Sequence, residues 1–242
     1  MASQMDISSA VAAGVSAGLS QGGSRKRRRT STKSSGSRKA SRSISRSVSY
    51  RGALVAPILR TKLRYVDLFT SSAGAGQVFQ TYQSSLYDPD ATGGGHQPMG
   101  FDELAALYDS YRVFSVKYKI TAQSTDNSDL RNTYVLVWQN DVITNPSTIA
   151  EGMEQPGCRY AVTNRENPCV ISGTLTPNLV LGQTKRTYQS DPNTQALCNT
   201  SPNFVGYLHI MAGNGLSSFA VSYSVELEFD AEFKDPKRLN QS

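Results

Sequence analysis

Val225-Glu226-Leu227-Glu228-Phe229-Asp230-Ala231-Glu232-Phe233 alternates apolar and acidic residues without a break. A period of two is the period of a β-strand, so the apolar side chains share one face and the four carboxylates the other. Same-face neighbours along a strand lie about 7 Å apart, and like charges in such a row repel unless cations lie beside them. Two other segments offer cations at the same period: Arg60, Lys62 and Arg64, and then Lys117 and Lys119. The alternation therefore predicts a charge ladder, with the acidic strand lying between the two basic ones.

Working outward, the sequence from Leu59 onward consists of short alternating runs separated by Gly, Pro, Asn and Asp, the texture of an all-β domain. Eight strands are predicted, at 62–70, 77–84, 112–122, 133–139, 158–164, 169–176, 203–212 and 218–233, enough for two four-stranded antiparallel sheets. If the last strand lies between the first and the third, the order is that of an eight-stranded jelly roll, with sheets B-I-D-G and C-H-E-F. Two short helices are expected between strands. One spans Gly100 to Tyr108, with Phe101, Leu104, Ala105 and Tyr108 on one face; the other spans Pro146 to Met153, with Asn145 and Pro146 as cap and first turn. The long connections 85–100 and 177–202 are of the kind that carries contacts or function.

The first sixty-four residues are different in kind. They hold fourteen Lys or Arg against one acid, Asp6, whereas the remaining 178 hold eleven against eighteen Asp or Glu, so +13 is joined to −7. The domain reading is a basic Arg/Ser-rich arm at 1–58, disordered when nothing is bound, and a globular domain at 59–242. Arg25, Lys26, Arg27, Arg28 and Arg29 form an unbroken run of the type read as a nuclear-import signal or a nucleic-acid patch. With Lys33, Arg38, Lys39, Arg42, Arg46 and Arg51 they are the candidate nucleic-acid-binding residues. Serines among the arginines, such as Ser43, Ser45 and Ser47, could each gain a phosphate of about −1.5 to −2 charge and weaken that attraction. Ahead of the run, Ile7, Val11, Val15 and Leu19 recur every four residues, the pattern of a weak amphipathic helix formed only in context.

Signs of catalysis are missing. His96 and His209 are the only histidines, and neither sits beside a nucleophile or at metal-ligand spacing. Gly93-Gly94-Gly95 lacks the Lys-Ser/Thr of a phosphate loop and reads as a surface turn. Asp88 with Asp90, or Asp126 with Asp129, supply too few oxygens for Ca²⁺, so no metal, no cofactor and no enzyme activity is expected. Cys158, Cys169 and Cys198 show no ligand pattern and read as reduced, mostly buried thiols. No run approaches the roughly 20 apolar residues of a membrane span, and the start lacks a signal-peptide pattern.

The stretch Gln97-Pro98-Met99-Gly100-Phe101-Asp102-Glu103-Leu104-Ala105-Ala106-Leu107-Tyr108-Asp109-Ser110-Tyr111-Arg112-Val113 adds a family likeness. It resembles the helix-to-strand passage of capsid proteins from circular, Rep-encoding single-stranded DNA viruses, as the basic arm does; the rest of the chain is similar in strand count alone. The passage is shared in part with capsid proteins of single-stranded RNA viruses. The resemblance implies a viral jelly roll that self-assembles into an icosahedral (T=1) shell, commonly of about 60 copies, with the arm inside on the genome. It also implies DNA as that genome, an importin as host partner, and residence in the virion and, during assembly, in the host nucleus. Host and receptor are not legible. Three other readings stay open: a nuclear nucleic-acid-binding protein that forms no shell, the capsid protein of a small single-stranded RNA virus, and a ligand-binding β-sandwich enzyme.

Overall fold

The computed structural model describes residues 55–73, 76–125, 132–215 and 218–238. The alternating C-terminal stretch forms the longest strand, β9 (Phe219–Pro236), and its phase is the expected one: Val221, Val225, Leu227, Phe229 and Phe233 are buried on one face. Before it in the chain come β1 (Ile58–Ala73), β2 (Gln77–Gln83), α1 (Phe101–Leu107) and β3 (Tyr108–Ser124). They are followed by β4 (Thr133–Asn140), α2 (Ile149–Met153), β5 (Arg159–Thr163) and β6 (Cys169–Leu175). An insertion then carries α3 (Pro177–Val180), α4 (Lys185–Ser190), a 3₁₀ turn at Pro192–Thr194 and the two-residue β7 (Ala196–Leu197), before β8 (Tyr207–Gly213).

One sheet runs β1-β9-β3-β6, with β7 added to β3, and the other runs β2-β8-β4-β5. Every pairing is antiparallel. Counting the eight long strands, these are the jelly-roll orders first-eighth-third-sixth and second-seventh-fourth-fifth. The core lies between the sheets, where Tyr65, Tyr82, Tyr111, Val135, Ile210 and Phe229 belong to one buried cluster. β4 is buried on both faces. Val135 and Val137 point into that core, while Leu136 and Trp138 point the other way and join Met211 in a second cluster, against which Ile149 and Met153 pack.

One irregularity has consequences for the outer face of the first sheet. The β3–β9 register shifts between Val113 and Ser115, so Phe114 is an extra residue bulged out of the ladder. Tyr111 and Val113 are buried before the bulge, Val116, Tyr118 and Ile120 after it, so the inward set changes from odd to even numbers. Arg112 and Lys117 thereby come to the same, outward face.

The expected helix after Gly100 is present: Gly100 takes the left-handed conformation (φ 87°), and Phe101 packs edge-on against Tyr111, centroids 5.6 Å apart. The second helix starts later than expected. Thr148, not Asn145 or Pro146, caps it by accepting from Glu151 N–H, and the Glu151 carboxylate accepts from Ser147 N–H. The 177–202 connection, expected as loop, holds the insertion helices. The ends of the described chain meet at one corner: Ile58 pairs with Lys234, the Tyr108 hydroxyl donates to the Ala56 carbonyl at 3.0 Å, and Lys237 N–H donates to the Leu107 carbonyl at 2.9 Å.

Candidate nucleic-acid interface and the charged sheet face

The ladder forms, because β9 is hydrogen-bonded on one side to β1 and on the other to β3. On the β3 side the ion pairs join residues directly opposite: Lys117 to Glu228 at 3.6 Å and Lys119 to Glu226 at 3.2 Å. On the β1 side they are diagonal. Lys62 stands opposite Asp230 but pairs with Glu228 at 2.8 Å, Arg60 reaches Asp230 at 2.6 Å, and Arg64 reaches Glu226. Each cation thus leans one pleat towards the start of β9. Glu226 and Glu228 are each shared by two cations, while Glu232 pairs with Lys234 on its own strand at 2.6 Å.

The pairing favours the charged form of each partner. The Arg64 hydrogen bond holds Glu226 below the ordinary carboxylate range, the Lys62 bond does the same for Glu228, and the Arg60 bond for Asp230. Lys62 and Arg60 are raised in turn by those bonds. These side chains are solvated, so the ladder fixes strand partner and register more than it adds stability. Five ladder cations meet three carboxylates, which leaves a surplus of two.

This changes the accounting of the basic arm. Arg60, Lys62 and Arg64 belong to β1, so three of the fourteen N-terminal cations are engaged in the sheet. Residues 1–54 keep eleven against Asp6, a net +10 rather than +13. Arg25, Lys26, Arg27, Arg28, Arg29, Lys33, Arg38, Lys39, Arg42, Arg46 and Arg51 all lie outside the described residues, as does the helical pattern at 7–19.

Arg112, which the sequence places in the helix-to-strand passage but not among the candidate site residues, has an unusual setting. It is 3% exposed, yet it lies on the charged face, covered by the insertion. Its Nη1 donates to the Gln189 carbonyl and its Nη2 to the Asp191 carbonyl at 3.0 Å, while Nε is buried without a partner. The Tyr188 hydroxyl donates to the Val113 carbonyl at 2.7 Å, a second tie between insertion and bulge. Backbone N–H donation from Asn193, with a smaller contribution from Arg112, holds the Asp191 carboxyl below its usual range.

The remaining candidates have structural partners. His209 is buried between Thr81 and Val142, and His96 stacks on Tyr65 with centroids 4.5 Å apart. Asp90 is buried and accepts from Gln80 Nε2 at 2.8 Å and from Thr92 N–H at 2.9 Å. Burial, with Asp90 nearby, raises Asp88. Among the described residues no three His, Cys, Asp or Glu side chains are grouped so as to hold a metal ion; Asp126 and Asp129 lie outside them. All three cysteines are free thiols, Cys169 and Cys198 buried and Cys158 half-buried. No helix among the described residues is long and apolar enough to cross a membrane.

No family model and no curated protein matches the chain. Among solved structures it is similar to the decameric BFDV capsid protein, at 13% identity and a TM-score of 0.40, over 73% of this chain and 99% of that one. It is similar too to the semi-empty virus-like particle of the giant freshwater prawn Macrobrachium rosenbergii nodavirus, at 14% identity and a TM-score of 0.39, over 78% and 100%. A third is Desmodium yellow mottle tymovirus, at 12% identity and a TM-score of 0.39, over 79% and 95%.

Proposed function

We propose that the chain is a capsid subunit, that its copies close into a small icosahedral shell, and that residues 1–54 hold a single-stranded genome by its phosphates. The observation that carries this reading is the partition of charge. A jelly roll whose sheet cations are largely paired with its own carboxylates is joined, at the start of β1, to eleven cations with one acid among them. Those arm cations have no local carboxylates to satisfy them, and phosphates supply the missing counter-charge. Binding of this type releases counterions, weakens steeply with salt and has little sequence preference.

A shell of about 60 copies would bring about 600 arm charges, the order needed for a genome of about 10³ nucleotides. The likeness of residues 97–113 to capsid proteins of circular single-stranded DNA viruses favours DNA over RNA. Arg25 to Arg29 serve nuclear entry through a host importin before assembly, and phosphorylation of arm serines would release the genome. Electron microscopy and nuclease protection of the purified full chain test the reading. Closed particles near 20 nm holding protected nucleic acid are expected. Reversing Arg25 to Arg29 to Glu should empty them without unfolding the β domain. A discrete monomer or dimer that still binds nucleic acid would instead support a nuclear nucleic-acid-binding protein that forms no shell.

A further inference from the structure

A cleft of about 360 Å³ opens where the β3 bulge meets the insertion. Phe114, extruded by the bulge, forms one wall, and the Arg60 guanidinium lies 4.7 Å above its ring centre. Lys185, Tyr188 and Gln189, three and four residues apart on α4, line the side that the insertion supplies. Asp230 is the one acid lining the cleft, and both its oxygens already accept from Arg60, at 2.9 and 2.6 Å. Lys185 has no carboxylate partner among the described residues. Behind the wall lies the buried Arg112 guanidinium, bonded to the Gln189 carbonyl. The cleft therefore joins one cation without a carboxylate partner, Lys185, to a flat aromatic and guanidinium surface.

We propose that this cleft holds one nucleotide unit of a single-stranded nucleic acid, with its base plane against the Arg60–Phe114 pair and its phosphate at Lys185. The volume is within the range of about 300–1,000 Å³ typical of small-ligand sites. Stacking on aromatic rings and guanidinium planes tolerates any base, as packaging of a whole genome demands. An acidic peptide would satisfy Lys185 but leave the stacking wall unused. Chain continuity supports the same occupant: eleven cations with one acid among them lie in residues 1–54, and Arg60 follows the last of them, Arg51, by nine residues. The inference deepens the proposed function and rests on its reading of the arm.

Photocrosslinking of the full chain to an oligodeoxythymidylate carrying 5-iododeoxyuridine, with the matching 5-iodouridine oligoribonucleotide in parallel, tests it. Adducts located by mass spectrometry are expected on Phe114 or Tyr188 as well as within residues 1–54. Lys185→Glu, an exposed change that leaves the fold intact, should cut the cleft adducts by about tenfold and lower the salt slope of binding by about one, with the arm adducts retained. Phe114→Leu should remove the adducts at that position and reduce those on Tyr188. Adducts confined to residues 1–54 would overturn the cleft and leave the arm reading standing. Cleft adducts together with nucleic-acid protection that survives reversal of Arg25 to Arg29 would overturn the arm reading and leave the cleft, and loss of neither protection nor adducts in any variant would overturn both. Cleft adducts unchanged by Lys185→Glu would overturn the phosphate assignment. Whichever oligonucleotide gives the stronger cleft adducts identifies the sugar that the site prefers.

Discussion

The hydroxyl of Thr81 donates to Nδ1 of His209 at 3.1 Å across the β2–β8 pair, and Nε2 of the same ring donates to the Val142 carbonyl at 3.2 Å. A carbonyl oxygen only accepts, so Nε2 carries a proton, and burial disfavours a second one on Nδ1, which leaves Nδ1 to accept from the Thr81 hydroxyl. Trp138 stacks on it with centroids 5.0 Å apart. The ring is 1% exposed, and burial pushes its pKa down to about 4.

A pH dependence follows. The unfolded chain protonates His209 near its ordinary value of about 6.5, while the folded chain resists down to about 4. Across that window the unfolded state binds one more proton, so stability falls as pH falls, by about 1.4 kcal/mol per unit. The ladder carboxylates are depressed, so their contribution is present above the ordinary carboxylate range and fades only as pH falls through and below it. Urea unfolding between about pH 7 and pH 5 therefore isolates the histidine. His209→Gln should flatten that slope; an unchanged slope would place the proton elsewhere.

Charge reversal tests the ladder. Lys62→Glu faces Glu228, and Glu228→Lys faces both Lys62 and Lys117, so each alone puts like charges side by side. Each should lower the melting temperature by a few degrees, and the double variant should recover part of the loss. Both effects should shrink in about 1 M salt, where the Debye length is about 3 Å. Additive losses in the double variant would mean that the pairs do not interact.

Removing the Arg112 guanidinium should loosen the insertion before it unfolds the sandwich. Arg112→Met leaves the Gln189 and Asp191 carbonyls without their donor, at a cost of about 1–3 kcal/mol, offset in part because a buried cation with an unpartnered Nε is also removed. Limited proteolysis should cut between Thr176 and Gly206 sooner than in the parent. Lys at this position presents one ammonium in place of a planar fork and should rescue little.

Gly152 fixes how closely α2 lies on β4 and β8. A Cβ there would stand 2.8 Å from Met211 Sδ and 2.9 Å from Leu136 Cδ2. Gly152→Ala should cost about 1–3 kcal/mol in urea unfolding. The loss should be smaller when Met211 is already Ala, because the nearer atom is then gone.

The ladder was legible because two independent regularities, period and sign, coincide in residues far apart in the chain, and they fixed the partners of β9 and so the topology. The one-pleat lean of the β1 cations was not, since it depends on how two twisted strands present their side chains rather than on order along either. The β3 bulge left only a trace, the adjacent apolar pair Val113-Phe114 in an otherwise alternating run. Thr148-Ile149-Ala150-Glu151 carries the capping signature of α2, but Asn145-Pro146 just before it offers a competing start signal. α3 and α4, four and six residues long, are too short to display a helical period. Arg112 could not be read as buried because its acceptors lie 77 and 79 residues away. The cleft had no linear signature either, since Arg60, Phe114 and Lys185 come from three distant segments.

The corner where Ile58 meets Lys234 bears on how the protein can be engineered. The last described residues of the chain lie at the corner where β1 begins, with Lys237 N–H donating to Leu107 and the Tyr108 hydroxyl to Ala56, so a reporter or affinity handle added C-terminally is attached through that corner. A handle there stands clear of the far ends of both sheets, where Ala73 pairs with Phe219 and Gln77 with Gly213.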